Sequence, residues 1–197
     1  DPLPGRCYRA NLSRDGVYAG PGPSSGQLRW KIDTGKEVVG SPVVVDGTLY
    51  IGTHLGLAAR DAASGAERWA FPVPGGVHST PCVAGDKVLF GGQDGGLYCL
   101  AAADGKLLWR AKGSGGITAS PGAAYGIAFI DRGIGFDLAT GDMVWSTPKN
   151  KSLRGPSDGR LASMALLPDA MILPGFTGNA LAYKNGKFLF GGESNWE

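Results

Sequence analysis

The sequence predicts an all-β chain built from repeated four-stranded antiparallel units, and three observations predict it. Glycine supplies 34 of the 197 residues, more than twice the average usage of about 7%, without a Gly-X-Y period. These glycines separate short apolar runs, the pattern of many strands joined by tight turns. Third, an eleven-residue stretch recurs. Residues 59–69 read A-R-D-A-A-S-G-A-E-R-W, residues 99–109 read C-L-A-A-A-D-G-K-L-L-W, residues 135–145 read G-F-D-L-A-T-G-D-M-V-W and residues 180–190 read A-L-A-Y-K-N-G-K-F-L-F. A fifth copy, residues 20–30, keeps only its Ser25-Gly26 turn and Trp30. The steps from Trp30 to Trp69, Trp109 and Trp145 are 39, 40 and 36 residues. A period near 40 marks a repeat architecture.

Residues 1–26 are rich in Gly and Pro with no sustained period and are expected to form an irregular entry arm. Residues 27–32 (Q-L-R-W-K-I) alternate apolar and polar and predict a short strand. The first full unit opens with the β-branched run 38–45, stopped by Asp46-Gly47. Asp-Gly between apolar runs signals a type I′ hairpin, in which both central residues need φ > 0. Strands at 48–52, 57–61 and 67–71 follow, separated by turns at His54-Leu55-Gly56 and Ser64-Gly65. The second unit repeats the order at 79–83, 88–91, 97–100 and 107–109. The third runs 119–121, 127–130, 134–138 and 143–145, and a looser fourth runs 161–167, 171–176, 180–183 and 187–190.

One spacing sets the register. Trp30 to Pro42, Trp69 to Pro81 and Trp109 to Pro121 are each 12 residues, whereas proline to tryptophan within a unit varies. The link between units is held constant while the hairpins absorb insertions. Four antiparallel strands per 40 residues, repeated, predict the blades of a β-propeller. The expected blades span 38–73, 77–112, 117–148 and 160–190: about four blades plus one extra strand at 27–32, an incomplete ring. An open array leaves sheet faces uncovered, so either further blades or a second chain is expected to close it.

Composition excludes several classes. With 19 basic and 17 acidic residues the formal charge is +2, which offers no footprint for nucleic acid. No apolar run approaches the roughly 20 residues of a membrane-spanning helix. Cys82 and Cys99 are expected on the first and third strands of one blade, about 9.5 Å apart. That exceeds the roughly 7 Å limit for a disulfide, so both read as small buried hydrophobes; Cys7 makes the count odd.

The frame A-x-D-x-x-[TS]-G-x-x-x-W, preceded by S-P-V-V-V-D-G-T-L-Y-I-G, resembles the repeats of pyrroloquinoline-quinone-like (quinoprotein-like) β-propellers over roughly residues 27–190. In that family the element is a tryptophan-docking motif that locks adjacent blades. The matching positions are Ala59, Asp61, Ser64, Gly65 and Trp69, then Gly105 and Trp109, then Asp137, Thr140, Gly141 and Trp145. Ala101 stands where Asp is expected, Gly135 where Ala is expected, and Phe190 where Trp is expected. The resemblance implies one of two branches. One holds quinone-dependent alcohol and sugar dehydrogenases, which use a catalytic Asp, calcium ligands and often an adjacent Cys-Cys pair; the pair and matching local motifs are missing here. The other holds non-catalytic propellers, including a lipoprotein subunit of the outer-membrane barrel-assembly machine and sensor domains of bacterial Ser/Thr kinases. The second branch implies a binding or scaffold module with no cofactor, a protein partner or further blades, and a periplasmic or extracellular location, with a lipid anchor as a further expectation. Quinone and calcium belong only to the first.

Within a blade, turns between second and third strands share a face with the links between blades. That face is expected to collect His54, Gln93, Asp94, Asp131 and Arg132. The long link at 146–160 adds Lys149, Lys151, Arg154 and Arg160 against Asp158 alone. It fits an anionic ligand or acidic partner, but a solvated insertion is the more ordinary reading, since insertions in surface loops cost little. His54 and His78 are the two histidines, with no ligand cluster at zinc spacing. Ser79 and Ser120 lack a nucleophile elbow and read as strand starts. Asp61 and Asp137 could pass for paired carboxylates but are expected to bond nearby turn N–H groups. The glycine-rich run 91–96 lacks the following helix that a phosphate site needs.

Overall fold

The computed structural model describes residues 25–112, 116–130 and 134–146, together with four further strands between 165 and 189. All regular structure among them is β. The first sheet holds β1 (Val43–Val45), β2 (Thr48–Thr53), β3 (Gly56–Asp61) and β4 (Glu67–Pro72); the second holds β5 (Cys82–Ala84), β6 (Lys87–Gly91), β7 (Gly96–Ala101) and β8 (Leu107–Lys112). The third holds β9 (Gly122–Ala124), β10 (Ile127–Ile130), β11 (Ile134–Asp137) and β12 (Met143–Ser146). The fourth holds β13 (Ala165–Leu166), β14 (Met171–Pro174), β15 (Ala180–Lys184) and β16 (Lys187–Leu189). Each is an antiparallel meander in chain order, the blade predicted from the repeat.

The hairpins show why these residues turn where they do. Asp46 and Gly47 have φ of 46° and 71°, the two left-handed residues of a type I′ turn. Tyr125 and Gly126 repeat it at 53° and 73°. In the second sheet the turn starts with glycine instead, Gly85 at 59°, as a type II′ turn requires.

Two expectations change. Residues 27–32 form no sheet ladder, because no strand among the described residues lies beside them to pair with. The opening strands are also shorter than predicted, starting at Val43, Cys82 and Gly122 rather than at 38, 79 and 119. The residues just before each ladder are committed elsewhere. Pro42, Pro81 and Pro121 have no N–H to donate, and the N–H groups of Ser41 and Thr80 point to the next sheet.

The core lies between sheets. Val43, Tyr50, Leu57 and Ala59 of the first sheet meet Val83, Val88, Phe90 and Leu100 of the second. Cys82, Leu89, Leu97 and Cys99 of the second meet Ala123, Ala128, Phe129 and Phe136 of the third. Val88, Phe90, Leu89 and Leu97 are all 0% exposed, so each face of the second sheet is buried against a neighbour. The first strands of neighbouring sheets lie side by side, β1 against β5 and β5 against β9.

Candidate functional site

The repeated eleven-residue element closes the turn between third and fourth strands. Asp61 Oδ1 accepts from the N–H of Ala63 and Ser64 at 3.0 and 2.9 Å and from the Ser64 hydroxyl at 2.9 Å. Arg68 donates to Asp61 Oδ2 at 2.8 Å. The Arg68 bond first, then those from Ser64 and Ala63, hold this carboxyl well below the usual carboxylate range. Asp137 accepts from the N–H of Ala139 and Thr140 at 2.8 and 2.9 Å, and the Thr140 contact leads its own downward shift. Both carboxylates are therefore occupied by their own turns. The second sheet has Ala101 at this position, yet its backbone frame is the same: Gly105 N–H donates to Ala101 O at 2.9 Å, as Gly65 does to Asp61 O at 2.8 Å. What all three turns share is a left-handed glycine, Gly65, Gly105 and Gly141, with φ of 76°, 73° and 80°.

That glycine receives an indole from the preceding repeat. Trp30 Nε1 donates to Ala62 O at 3.1 Å, Trp69 Nε1 to Ala102 O at 3.0 Å, and Trp109 Nε1 to Leu138 O at 3.0 Å. A methyl group on Gly65 would lie 2.8 Å from the Trp30 ring, and one on Gly105 or Gly141 would lie 2.6 Å from Trp69 or Trp109. Such distances admit only hydrogen on the Cα. Trp145 pairs through its backbone with Gly135; its side chain lies outside the described residues.

A second inter-sheet contact was not foreseen. Ser41 N–H donates to Thr80 Oγ1 at 3.0 Å, and Thr80 N–H donates to Ser120 Oγ at 3.1 Å. The Ser/Thr-Pro dipeptides recur at 41, 80 and 120 and were the available signal. Ser79, read earlier as a strand start, turns its hydroxyl inward, accepting from Gly91 N–H at 2.9 Å and donating to Gly91 O at 3.1 Å.

On the opposite end from these hairpins, the turns between second and third strands of the first two sheets meet the links. Val77 N–H donates to Thr53 O at 2.9 Å, Gln93 N–H to Gly76 O at 3.0 Å, and Ile117 N–H to Gly92 O at 3.0 Å. His54 and Gln93 occupy equivalent places in consecutive sheets, and His54 Nδ1 and Gln93 Nε2 are buried without a hydrogen-bond partner. Asp94 is engaged: Tyr98 OH and Arg110 Nη2 donate to its Oδ2 at 2.6 and 2.8 Å, and Gly96 N–H to its Oδ1 at 3.0 Å. Burial would raise its pKa, but these three donors outweigh that and lower it. Asp131, Arg132, Lys149, Lys151 and Arg154 lie outside the described residues, as does Cys7. Leu89 separates Cys82 from Cys99 in the ladder. Both cysteines are 0% exposed, and burial pushes the Cys99 thiol up to about 12. Among the described residues no group of three or more His, Cys, Asp or Glu could hold a metal ion.

Residues 14–165 match the family model described as outer membrane protein assembly factor BamB. The chain is 29% identical over 163 residues to the outer membrane protein assembly factor BamB of Burkholderia pseudomallei (strain K96243), covering 80% of this chain and 41% of the relative. It is also 29% identical over 179 residues to the dehydrogenase subunit of alcohol dehydrogenase (quinone) from Komagataeibacter europaeus, covering 71% and 24%. The crystal structure of BamB from Moraxella catarrhalis superposes with a TM-score of 0.67 at 22% identity, covering 84% of this chain and 52% of that one. The chain thus spans about half or less of the length of these relatives.

Proposed function

The chain belongs to the outer membrane protein assembly factor BamB family, and on that premise we propose that it is a non-catalytic β-propeller module for binding or scaffolding. One observation carries this reading: the side chains that recur along the chain are consumed by its own architecture. Asp61 and Asp137 hold turn N–H groups, and three indoles hold the carbonyl of the next repeat. The element acts as a tryptophan-docking motif, and function falls to the surfaces that differ between repeats. Those include His54, Gln93 and Asp94 at the link face; the repeat spacing, rather than the described structure, adds Asp131, Arg132, Lys149, Lys151 and Arg154 to this reading as its charged part. Its partner is a protein, met in the periplasm or at the cell surface, and no cofactor takes part.

The identity to quinone-dependent alcohol dehydrogenase subunits favours a second reading, a portion of such an enzyme that uses pyrroloquinoline quinone and calcium. Two measurements separate them. A ligand held at 100 times its Kd stabilises by about 2.7 kcal/mol, so quinone with calcium raises the melting temperature by several degrees under the second reading and leaves it unchanged under the first. Deleting the gene lowers the amount of folded outer-membrane barrel protein under the first reading. Normal barrel levels with lost quinone-dependent alcohol oxidation would overturn it.

A further inference from the structure

We propose that the groove between the second and third sheets receives a tyrosyl side chain from a partner polypeptide. This groove has a volume of about 450 Å³, within the range of ligand-binding clefts. It opens at the hairpin end of the sheets, away from the link face, and its lining includes Ala84, Lys87, Ala124, Tyr125, Leu138 and Ala139.

The chain itself shows what such a place holds. Tyr50 pairs with Val43, and Leu89 pairs with Cys82 in the same register of the next sheet, so Leu89 stands where Tyr50 stands one repeat earlier. The Tyr50 ring packs 5.9 Å from Trp69, and its hydroxyl donates to Ala102 O at 3.3 Å. Thr48 lies beside this phenol. Ala102 O is the acceptor of the Trp69 indole, and Leu138 O is its counterpart for Trp109. Thr48 pairs with Val45 and Lys87 with Ala84, so Lys87 is the counterpart of Thr48. Both counterparts, Leu138 and Lys87, line the groove, and Leu89 has no polar group to offer either.

One joint therefore carries a phenol from its own strand to this acceptor; in the next, the buried Leu89 brings no hydroxyl to it, and the acceptor's residue, Leu138, lines a groove. An incoming tyrosine O–H donates to the free lone pair of Leu138 O and accepts from the Lys87 ammonium, which also pairs with Asp86 at 2.8 Å. The space exceeds one ring, and Ala139 and Tyr125 on the rim are exposed, Tyr125 by 67%. Both features suit a ring carried on an extended chain rather than a free phenol.

The proposal rests on the binding-module reading; the quinone and deletion experiments judge that reading, and a peptide titration judges the groove, so the two can fail separately. The full chain, labelled with ¹⁵N, is titrated with Ac-Ala-Tyr-Ala-NH₂, with its Phe counterpart and with p-cresol. Saturable shifts at Ala84, Lys87, Ala124 and Leu138 are expected. One added hydrogen bond makes the Tyr peptide bind roughly fivefold more tightly than the Phe peptide, and p-cresol binds more weakly than either. Leu89→Tyr supplies the ring from within and weakens the Tyr peptide about tenfold or more by occupying its site. Should that variant not fold, Ala139→Phe crowds the groove from the exposed rim and produces the same loss. Equal binding of Tyr and Phe peptides, shifts confined elsewhere, p-cresol as tight as the peptide, or full binding to Ala139→Phe would each overturn the proposal.

Discussion

Gly105 and Gly85 both sit in left-handed backbone, with φ of 73° and 59°, but only one has a neighbour. A methyl group on Gly105 meets the Trp69 ring at 2.6 Å, whereas nothing lies within 4 Å of one on Gly85. Gly85→Ala therefore costs only the backbone strain of a positive φ, about 1–3 kcal/mol. Gly105→Ala adds overpacking of about 1–3 kcal/mol, and urea denaturation of both variants separates the two terms. At Asp61 the relevant quantity is charge. Its folded pKa is depressed, first by Arg68 and then by the bonds from Ser64 and Ala63. A depressed carboxylate contributes stability that is fully present above its unfolded pKa, near 4, and lost as pH falls toward the folded value. Melting temperature should drop for the natural protein as pH falls below about 4. Asp61→Asn should flatten part of that slope while lowering the plateau near neutral pH; an unchanged slope would mean the carboxylate is not coupled to folding.

At the scale of the element, the fourth strand and its tryptophan make the joint. In each of three sheets the ladder shifts register between third and fourth strands, after Ala59, Cys99 and Gly135. Arg68, Leu108 and Val144 are the extra residues of these bulges, which add local twist just before each tryptophan. The two fully described joints differ in a testable way. Ala102 O receives Trp69 Nε1 and also the Tyr50 hydroxyl, while in the next joint Leu89 supplies no donor beside Trp109. Replacing either tryptophan by Ala should cost about 2–5 kcal/mol, with Trp109, 8% exposed, at the upper end. The Phe variants discriminate further. Trp69→Phe leaves Ala102 O with a partner, so Trp109→Phe should be worse by about 1 kcal/mol. Equal losses by denaturant titration would mean that the Tyr50 hydroxyl does not compensate for the lost indole N–H.

For the whole molecule, the two core clusters described join the first sheet to the second and the second to the third, an arrangement that should show nearest-neighbour stability. The second sheet is buried on both faces, and its joints to the first and third use different residues. Hydrogen exchange of Trp69→Ala should therefore show lost protection in β1–β4 and β5–β8, with β9–β12 closer to the natural protein. Uniform loss over all three sheets would indicate one cooperative unit instead.

Much of this was legible from short stretches. Asp46-Gly47 announced a type I′ turn and has the required φ values, and the strand expected at 48–52 became Thr48–Thr53 with alternate residues buried. Turn chemistry and strand period are written in adjacent residues, because each depends on local φ/ψ and on side chains two apart. The 40-residue recurrence added the four-stranded sheet and its repetition. Partner identity across a joint could not be read the same way. The acceptor of each indole lies 29–33 residues further along the chain, and the Ser/Thr hydroxyls were visible only as residues preceding proline. Residues 27–32 show the limit: alternation alone predicted a strand, and without a neighbour to pair with only Trp30 found its place. The sequence by itself determined the turns, the strands and the repeat. The tertiary structure alone decided what two equivalent residues do, Tyr50 closing one joint and Leu89 leaving the next with a groove, because that outcome depends on the distance between sheets packed side by side.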